Sequence, residues 1–372
     1  MQNEPESEEI EIAFDTTLSP QEQAAEAVQE LEVEIRNHEA TTPDAQHIAL
    51  DLLRLVRENT ARLGAQAAER VQAILKDGMS SDYLDPDFWR GLGMVLDYQF
   101  KEIQALIQRR VKGEYSTDAY GKDDEVVELV RPFAGFLYRT WWRVTTIGLE
   151  HVPSDGGVLL VANQSGVLPW DSAMIATAIL KEHSTPRVAR TLHQRWMSAI
   201  PVLAPALAAL GQVPALPENA RRLLEEGEIV SVFPEGPCGA AKLFRDRYKL
   251  AGFDAAEFVR AALQANAPII PLVVIGAEET YPVLANLDRV AKLLGLPFLP
   301  ITPLFPWLGP LGLIPLPSKW TIVFDAPLDI SGLDASAADD PAIVTRLAEA
   351  LRMRIESLLK RGLAERPSVF LG

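Results

Sequence analysis

The chain has 372 residues, 48% apolar and 23% charged, which suits one large or two smaller folded domains and excludes wholesale disorder. Its charge of −16 is concentrated in residues 1–60, where 15 Asp and Glu face 3 Lys and Arg; that is −12 of the total, leaving −4 for the other 312 residues. A body without a basic field speaks against nucleic acid as a partner. The single cysteine, Cys238, excludes an intrachain disulfide and a thiolate zinc cage, and no metal site is expected.

The opening MQNEPESEEIEI lacks the positive and apolar segments of a secretory leader, so a cytoplasmic location is expected. Residues 1–18 read as a disordered acidic tail. Ser19-Pro20-Gln21-Glu22 then combines an N-cap, an N1 proline and a capping-box glutamate. Thr42-Pro43 and Asp85-Pro86 open two more helices, with apolar stripes such as Ile48, Leu52, Val56 and Phe88, Leu92, Val95. Residues 19–125 are therefore predicted to form a helical N-terminal region.

From about residue 130 short β-rich runs alternate with helices. The runs are Arg143–Thr146, Val158–Ala162, Arg187–Arg190, Glu228–Phe233, Ile269–Ile275 and Trp320–Phe324, and the helices lie near 172–182, 196–210, 218–226 and 254–265. Asp340-Pro341 opens a closing helix that reaches roughly to Lys360. This alternation predicts an α/β domain over 126–363, a mostly parallel central sheet flanked by helices, carrying the N-terminal helical appendage.

Two long uncharged stretches raise the question of a membrane. Trp196–Pro217 contains Pro201, Pro205 and Pro214, and Leu293–Ser318 contains seven prolines over 26 residues. Prolines free carbonyls that lipid cannot satisfy, so neither segment is a simple span. Peripheral contact with a bilayer through an apolar floor remains the expectation.

Ligands of open α/β sheets gather beyond the carboxyl ends of strands. Two loops stand there: Asn163-Gln164-Ser165-Gly166-Val167-Leu168-Pro169-Trp170-Asp171 after one run, and Phe233-Pro234-Glu235-Gly236-Pro237-Cys238-Gly239 after another. The second is followed by Lys242, Arg245, Arg247 and Lys249, a basic stretch suited to phosphate. Glu235, between Pro and Gly, is expected to be held outward at a strand-end turn. Asp171 precedes Ser-Ala-Met-Ile, where a helix begins, so it reads as an N-cap, a site carboxylate, or both.

The Phe233-Pro234-Glu235-Gly236 block resembles the F-P-E-G motif of glycerolipid acyltransferases, the lysophosphatidate acyltransferase family. The Asn163–Asp171 loop is similar to their first block, Gly211-Gln212-Val213-Pro214 to the intervening one, and Ala267-Pro268-Ile269-Ile270-Pro271 to the last. The resemblance runs from about Asp85 to Lys360. It implies O-acyl transfer from acyl-CoA or acyl carrier protein, as co-substrate with no bound cofactor, to a hydroxyl of a lysophospholipid-like or glycerol-phosphate acceptor. It implies a peripheral enzyme at the inner face of the membrane; the oligomeric state is left open. By the same resemblance Asp171 and the residue at position 164 are catalytic, while Asn163, Ser165, Gly166, Glu235, Gly236, Lys242, Arg245 and Arg247 bind substrate.

The sequence departs from that pattern where a histidine general base is expected, because Gln164 stands there. A primary amide takes no proton at pH 7, and losing a general base costs roughly 10²–10⁴ in rate. Asp171 also lies seven residues beyond Gln164, where the compact motif has five. The intervening block has Ala215-Leu216-Pro217 near where a phosphate-binding arginine often stands, with Arg221 or Arg222 as substitutes on the next helix. His183 and His193 lie 19 and 29 residues beyond Gln164 and are the candidates for a substitute base, although each reads first as a partly exposed histidine without a catalytic role. Two readings remain: an acyltransferase impaired by Gln164, and a catalytically inactive homologue that binds lipid or acyl carrier. A hydrolase built on Cys238 is a distant third.

Overall fold

A computed structural model describes residues 115–366, except 167, 201, 202, 294, 308 and 331; the acidic tail 1–18 and most of the helical region expected over 19–125 lie outside the described residues. The strands are β1 (Thr145–Ile147), β2 (Val158–Ala162), β3 (Ala189–His193), β4 (Val213–Pro214), β5 (Ile229–Val232), β6 (Ile269–Ile275), β7 (Ala285–Asn286), β8 (Pro300–Ile301) and β9 (Thr321–Phe324). The α-helices are α1 (Asp124–Phe136), α2 (Trp170–Glu182), α3 (Leu203–Ala209), α4 (Pro217–Glu225), α5 (Gly236–Ala240), α6 (Ala256–Gln264), α7 (Asp288–Leu293) and α8 (Pro341–Glu365).

The main sheet has the order β1-β9-β6-β2-β5-β3-β4, parallel throughout except where β9 runs antiparallel to β6. Its central strands β2, β5 and β6 are buried at every position, which is why they read as unbroken apolar runs rather than as alternations. One face carries Leu159, Val161, Val230 and Val232 against α4, α6 and α8, through Leu223, Val259, Leu351 and Ile355. The other carries Leu160, Ala162, Ile270 and Leu272 against Met174, Ile175 and Ile179 of α2. On that second face Trp142 stacks on Trp320 with ring centroids 4.4 Å apart and meets Trp170 edge-on at 5.6 Å.

Two expected elements are displaced. The strand expected at Arg187–Arg190 begins at Ala189 and continues to His193. Arg187 instead turns its guanidinium to the carbonyls of Pro153, Gly156 and Gly227, while the ladder is carried by Ala189, Arg190 and Thr191 against β5. The helix expected near 196–210 is two pieces, a 3-10 turn over Arg195–Ala199 and α3, with Pro201 between them in the sequence. The proline-rich stretch after α7 supplies β8, which pairs antiparallel with β7 from before that helix. Among the described residues no helix is long and apolar enough to cross a membrane.

Candidate functional site

The first loop is fixed from its first residue. Asn163 is fully buried, and its side chain supplies the rung that β2 no longer makes: Nδ2 donates to the Val274 carbonyl (3.1 Å) and Oδ1 accepts from the Val274 N–H (2.8 Å). Its polar groups are thus engaged with β6. Gln164 follows, and its backbone N–H donates to Glu235 Oε1 at 2.7 Å, so the two strand-end loops are joined directly. Gln164 Oε1 and Ser165 Oγ are buried without a hydrogen-bond partner among the described residues. Gly166 has φ +80°, which lets the loop turn back toward α2 where a side chain would be strained.

Asp171 lies in the first turn of α2, one residue inside the helix rather than at its cap. Its carboxylate accepts from the N–H groups of Ser165 (3.0 Å) and Ser172 (2.8 Å), which closes the loop on itself. Burial pushes its pKa up to about 7, against the pull of those two donors.

Glu235 corrects the expectation of an outward carboxylate, for its side chain is fully buried. Oε1 accepts from Gln164 and Oε2 from the Ala251 N–H (2.6 Å), while Lys242 Nζ lies 3.1 Å from Oε2. Lys242 also pairs with Glu278 at 3.1 Å, and its side chain is 5% exposed. Behind them Glu278 accepts from the Tyr248 N–H, and Tyr248 Oη donates to Glu279, which pairs with Arg366. A buried carboxylate that satisfies two amides and a lysine is a staple between loops, and Lys242 so held faces protein rather than solvent.

The remaining basic residues separate from this cluster. Arg245 and Arg247 are exposed around a 3-10 turn (Phe244–Asp246), the first paired with Asp246 and the second 4.5 Å over the Phe244 ring. Arg221 is taken up by Glu218 and Glu225 on α4. Gly236 makes the turn after Phe233 with φ +58°, and Cys238 on α5 is exposed.

A cleft of about 470 Å³ opens over these strand ends, with Gln164, Asp171, Ser172, Phe233, Pro234 and Gly236 in its walls. Sequence reasoning missed its opposite wall, which comes from the end of β3 and the turn after it: His193, Gln194, Arg195 and Trp196. Only pairing of β3 beside β5 brings that segment to the loops. Arg195 is exposed and has no acidic partner among the described residues. A second cavity, about 110 Å³ and walled mainly by Val127, Val130, Ala134, Ala173, Ala176 and Leu180, lies between α1 and α2. It shares Ser172, Thr191 and Gln212 with the cleft.

Both histidines differ from the partly exposed residues expected. His183 is buried with its ring nitrogens 2.8 Å from the carbonyls of Thr185 and Val152, a structural tie. His193 is 6% exposed and borders the cleft.

Comparison with known proteins follows the same outline. A family model described as Acyltransferase matches residues 143–275, from just before β1 to the end of β6 and so across both loops. Uncharacterized proteins of Mycobacterium bovis and Mycobacterium tuberculosis are 42% identical over 271 residues, 73% of this chain and 76% of each relative. One of Mycobacterium leprae is 41% identical over 271 residues, 73% of this chain and 74% of its own. Among solved structures, the 1-acyl-sn-glycerophosphate (LPA) acyltransferase PlsC of Thermotoga maritima is similar with a TM-score of 0.43 and 18% identity, covering 74% of this chain and 89% of that one. On the family match across both cleft loops and the extent of its relatives, the chain belongs to the acyltransferase family.

Proposed function

We propose that the protein transfers an acyl group from a thioester donor, acyl-CoA or acyl carrier protein, to a hydroxyl of a lysophospholipid-like acceptor. The observation that carries this reading is the 2.7 Å bond from Gln164 N–H to Glu235, which makes one cleft of the two motif loops. Arg195, exposed at that cleft and with no acidic partner among the described residues, supplies a guanidinium fork for an anionic headgroup. The apolar cavity between α1 and α2, which shares Ser172, Thr191 and Gln212 with the cleft walls, offers an aliphatic chain a dry wall. Exposed Leu293, Leu313 and Ile314, in or beside the charge-free proline-rich stretch, suit peripheral contact with a bilayer.

In this reading the walls position the two substrates, and Asp171 holds the loop that carries Gln164. The test is thiol release by the purified protein from acyl-CoA and, separately, from acyl carrier protein, with and without lysophosphatidate. Acceptor-dependent release that Asp171→Ala abolishes is expected. Lipid binding without any release supports the alternative, an inactive homologue that binds lipid or acyl carrier, for which the Gln164 amide is the favouring observation.

A further inference from the structure

Gln164 leaves the proposed reaction without the base that the loop would otherwise supply, so the proton must go to another group in the cleft. Its walls contain Asp171, Asp254, Arg195 and His193 as charged or titratable side chains. Arg195 stays protonated. Asp171 is committed to two backbone donors, and Asp254 is exposed to solvent at the cleft's edge rather than held within it. His193 has no such commitment on one side of its ring.

Its placement follows from the sheet. Leu160 of β2 and Thr191 of β3 are both level with Ser231 of β5, and the Thr191 and Ser231 hydroxyls are bonded at 2.9 Å. Continued by two residues, the same register carries His193 to the height of Ala162, and the strand alternation puts it on the α2 face that bears Leu160 and Ala162. β5 lies between β2 and β3, so their ends stand two strand spacings apart, about 10 Å. A hydroxyl resting over the end of β5 then has Gln164 on one flank and His193 on the other.

The ring's tautomer is decided by its neighbour. Nδ1 lies 3.1 Å from the Gln194 carbonyl oxygen, which can only accept, so Nδ1 carries the hydrogen. Nε2 is left with its lone pair and has no hydrogen bond among the described residues. Burial holds the imidazole below its ordinary pKa of 6.5, with the carbonyl bond opposing, so it is neutral at pH 7.

We infer that His193 Nε2 is the general base of the acyl transfer, moved from the β2 loop to the carboxyl end of β3. This rests on the acyltransferase reading above. Nε2 takes the acceptor's hydroxyl proton as that oxygen attacks the thioester carbonyl. The carbon–oxygen bond forms, the carbon–sulfur bond breaks, and the departing thiolate recovers the proton from the imidazolium, leaving ester and free thiol.

The experiment measures thiol release by the full chain with oleoyl-CoA as donor and 1-oleoyl lysophosphatidate as acceptor. His193→Ala and His193→Gln should lose about 10²–10⁴-fold in kcat with the acceptor KM nearly unchanged. Added imidazole should recover part of the loss in His193→Ala, and Gln164→His in that background should recover at least roughly tenfold. Full activity in His193→Ala overturns the assignment, as does a loss that neither imidazole nor Gln164→His recovers, which marks the residue as structural. Absence of acceptor-dependent release from the wild-type protein with this pair and with acyl carrier protein overturns the acyltransferase reading and the base with it.

Discussion

Glu235 illustrates how far a residue's role can differ from its motif letter. In the chain it is a carboxylate between proline and glycine; in the fold it is the acceptor for two backbone amides and the partner of Lys242. Removing its charge while keeping its shape is therefore informative. Glu235→Gln leaves one acceptor oxygen for two N–H groups and Lys242 with Glu278 alone, a loss of about 2–3 kcal/mol. Urea unfolding should report that loss, and kcat/KM should fall at least tenfold because Gln164 is no longer held. Unchanged stability would mean that Glu235 is not the staple its contacts describe.

At the scale of elements, the site is where α5 presses on two loops. A Cβ at Gly239 would lie 2.6 Å from the Glu235 Cβ and 2.9 Å from the Gln164 Cβ. Both are atoms anchored to backbone rather than flexible tips, so the loops must part to admit a methyl group. Gly239→Ala is expected to cost about 1–3 kcal/mol and to lower kcat/KM. Calorimetry with kinetics on the one variant checks this; a neutral result on both would show that α5 is free to shift. The short strand β3 belongs to the same scale. It runs to His193, three residues beyond the expected end, which puts that residue at the cleft, while Arg187 at the other end bonds the carbonyls of Pro153 and Gly156 instead of joining the ladder.

Across the whole molecule, buried carboxyl groups make stability depend on pH. Asp171 and Glu278 are both pushed up to about 7, from 3.8 and 4.5, chiefly by burial. Each binds its proton more tightly folded than unfolded. Their contribution is therefore fully present below the unfolded values and is lost as pH rises through about 7. His193 works in the opposite sense near its own lowered value, as one weaker shift. The melting midpoint should fall between pH 5.5 and pH 8 by on the order of 5 °C, and Asp171→Asn should flatten that slope whatever it does to the midpoint itself. A midpoint that rises over this range would contradict the cost that burial places on ionising these two groups.

Fold class and loop identity were legible in one dimension because they rest on local signals. Unbroken apolar runs mark strands buried on both faces, prolines and aspartates mark helix starts, and Gly227, at φ +83°, ends α4 just before β5 as the sequence suggests. Both motif loops could be named for the same reason. Which side chains face the cleft was not legible, since that depends on strand order, and the placing of β5 between β2 and β3 is a long-range pairing that no local pattern encodes. Strand order buried Lys242 and Glu235 beneath the cleft, left Arg245 and Arg247 outside it, and brought in His193 and Arg195. Composition and periodicity determined what this chain folds into; the tertiary structure alone decided which of its charges lie in low dielectric as pairs and which remain at the cleft for chemistry.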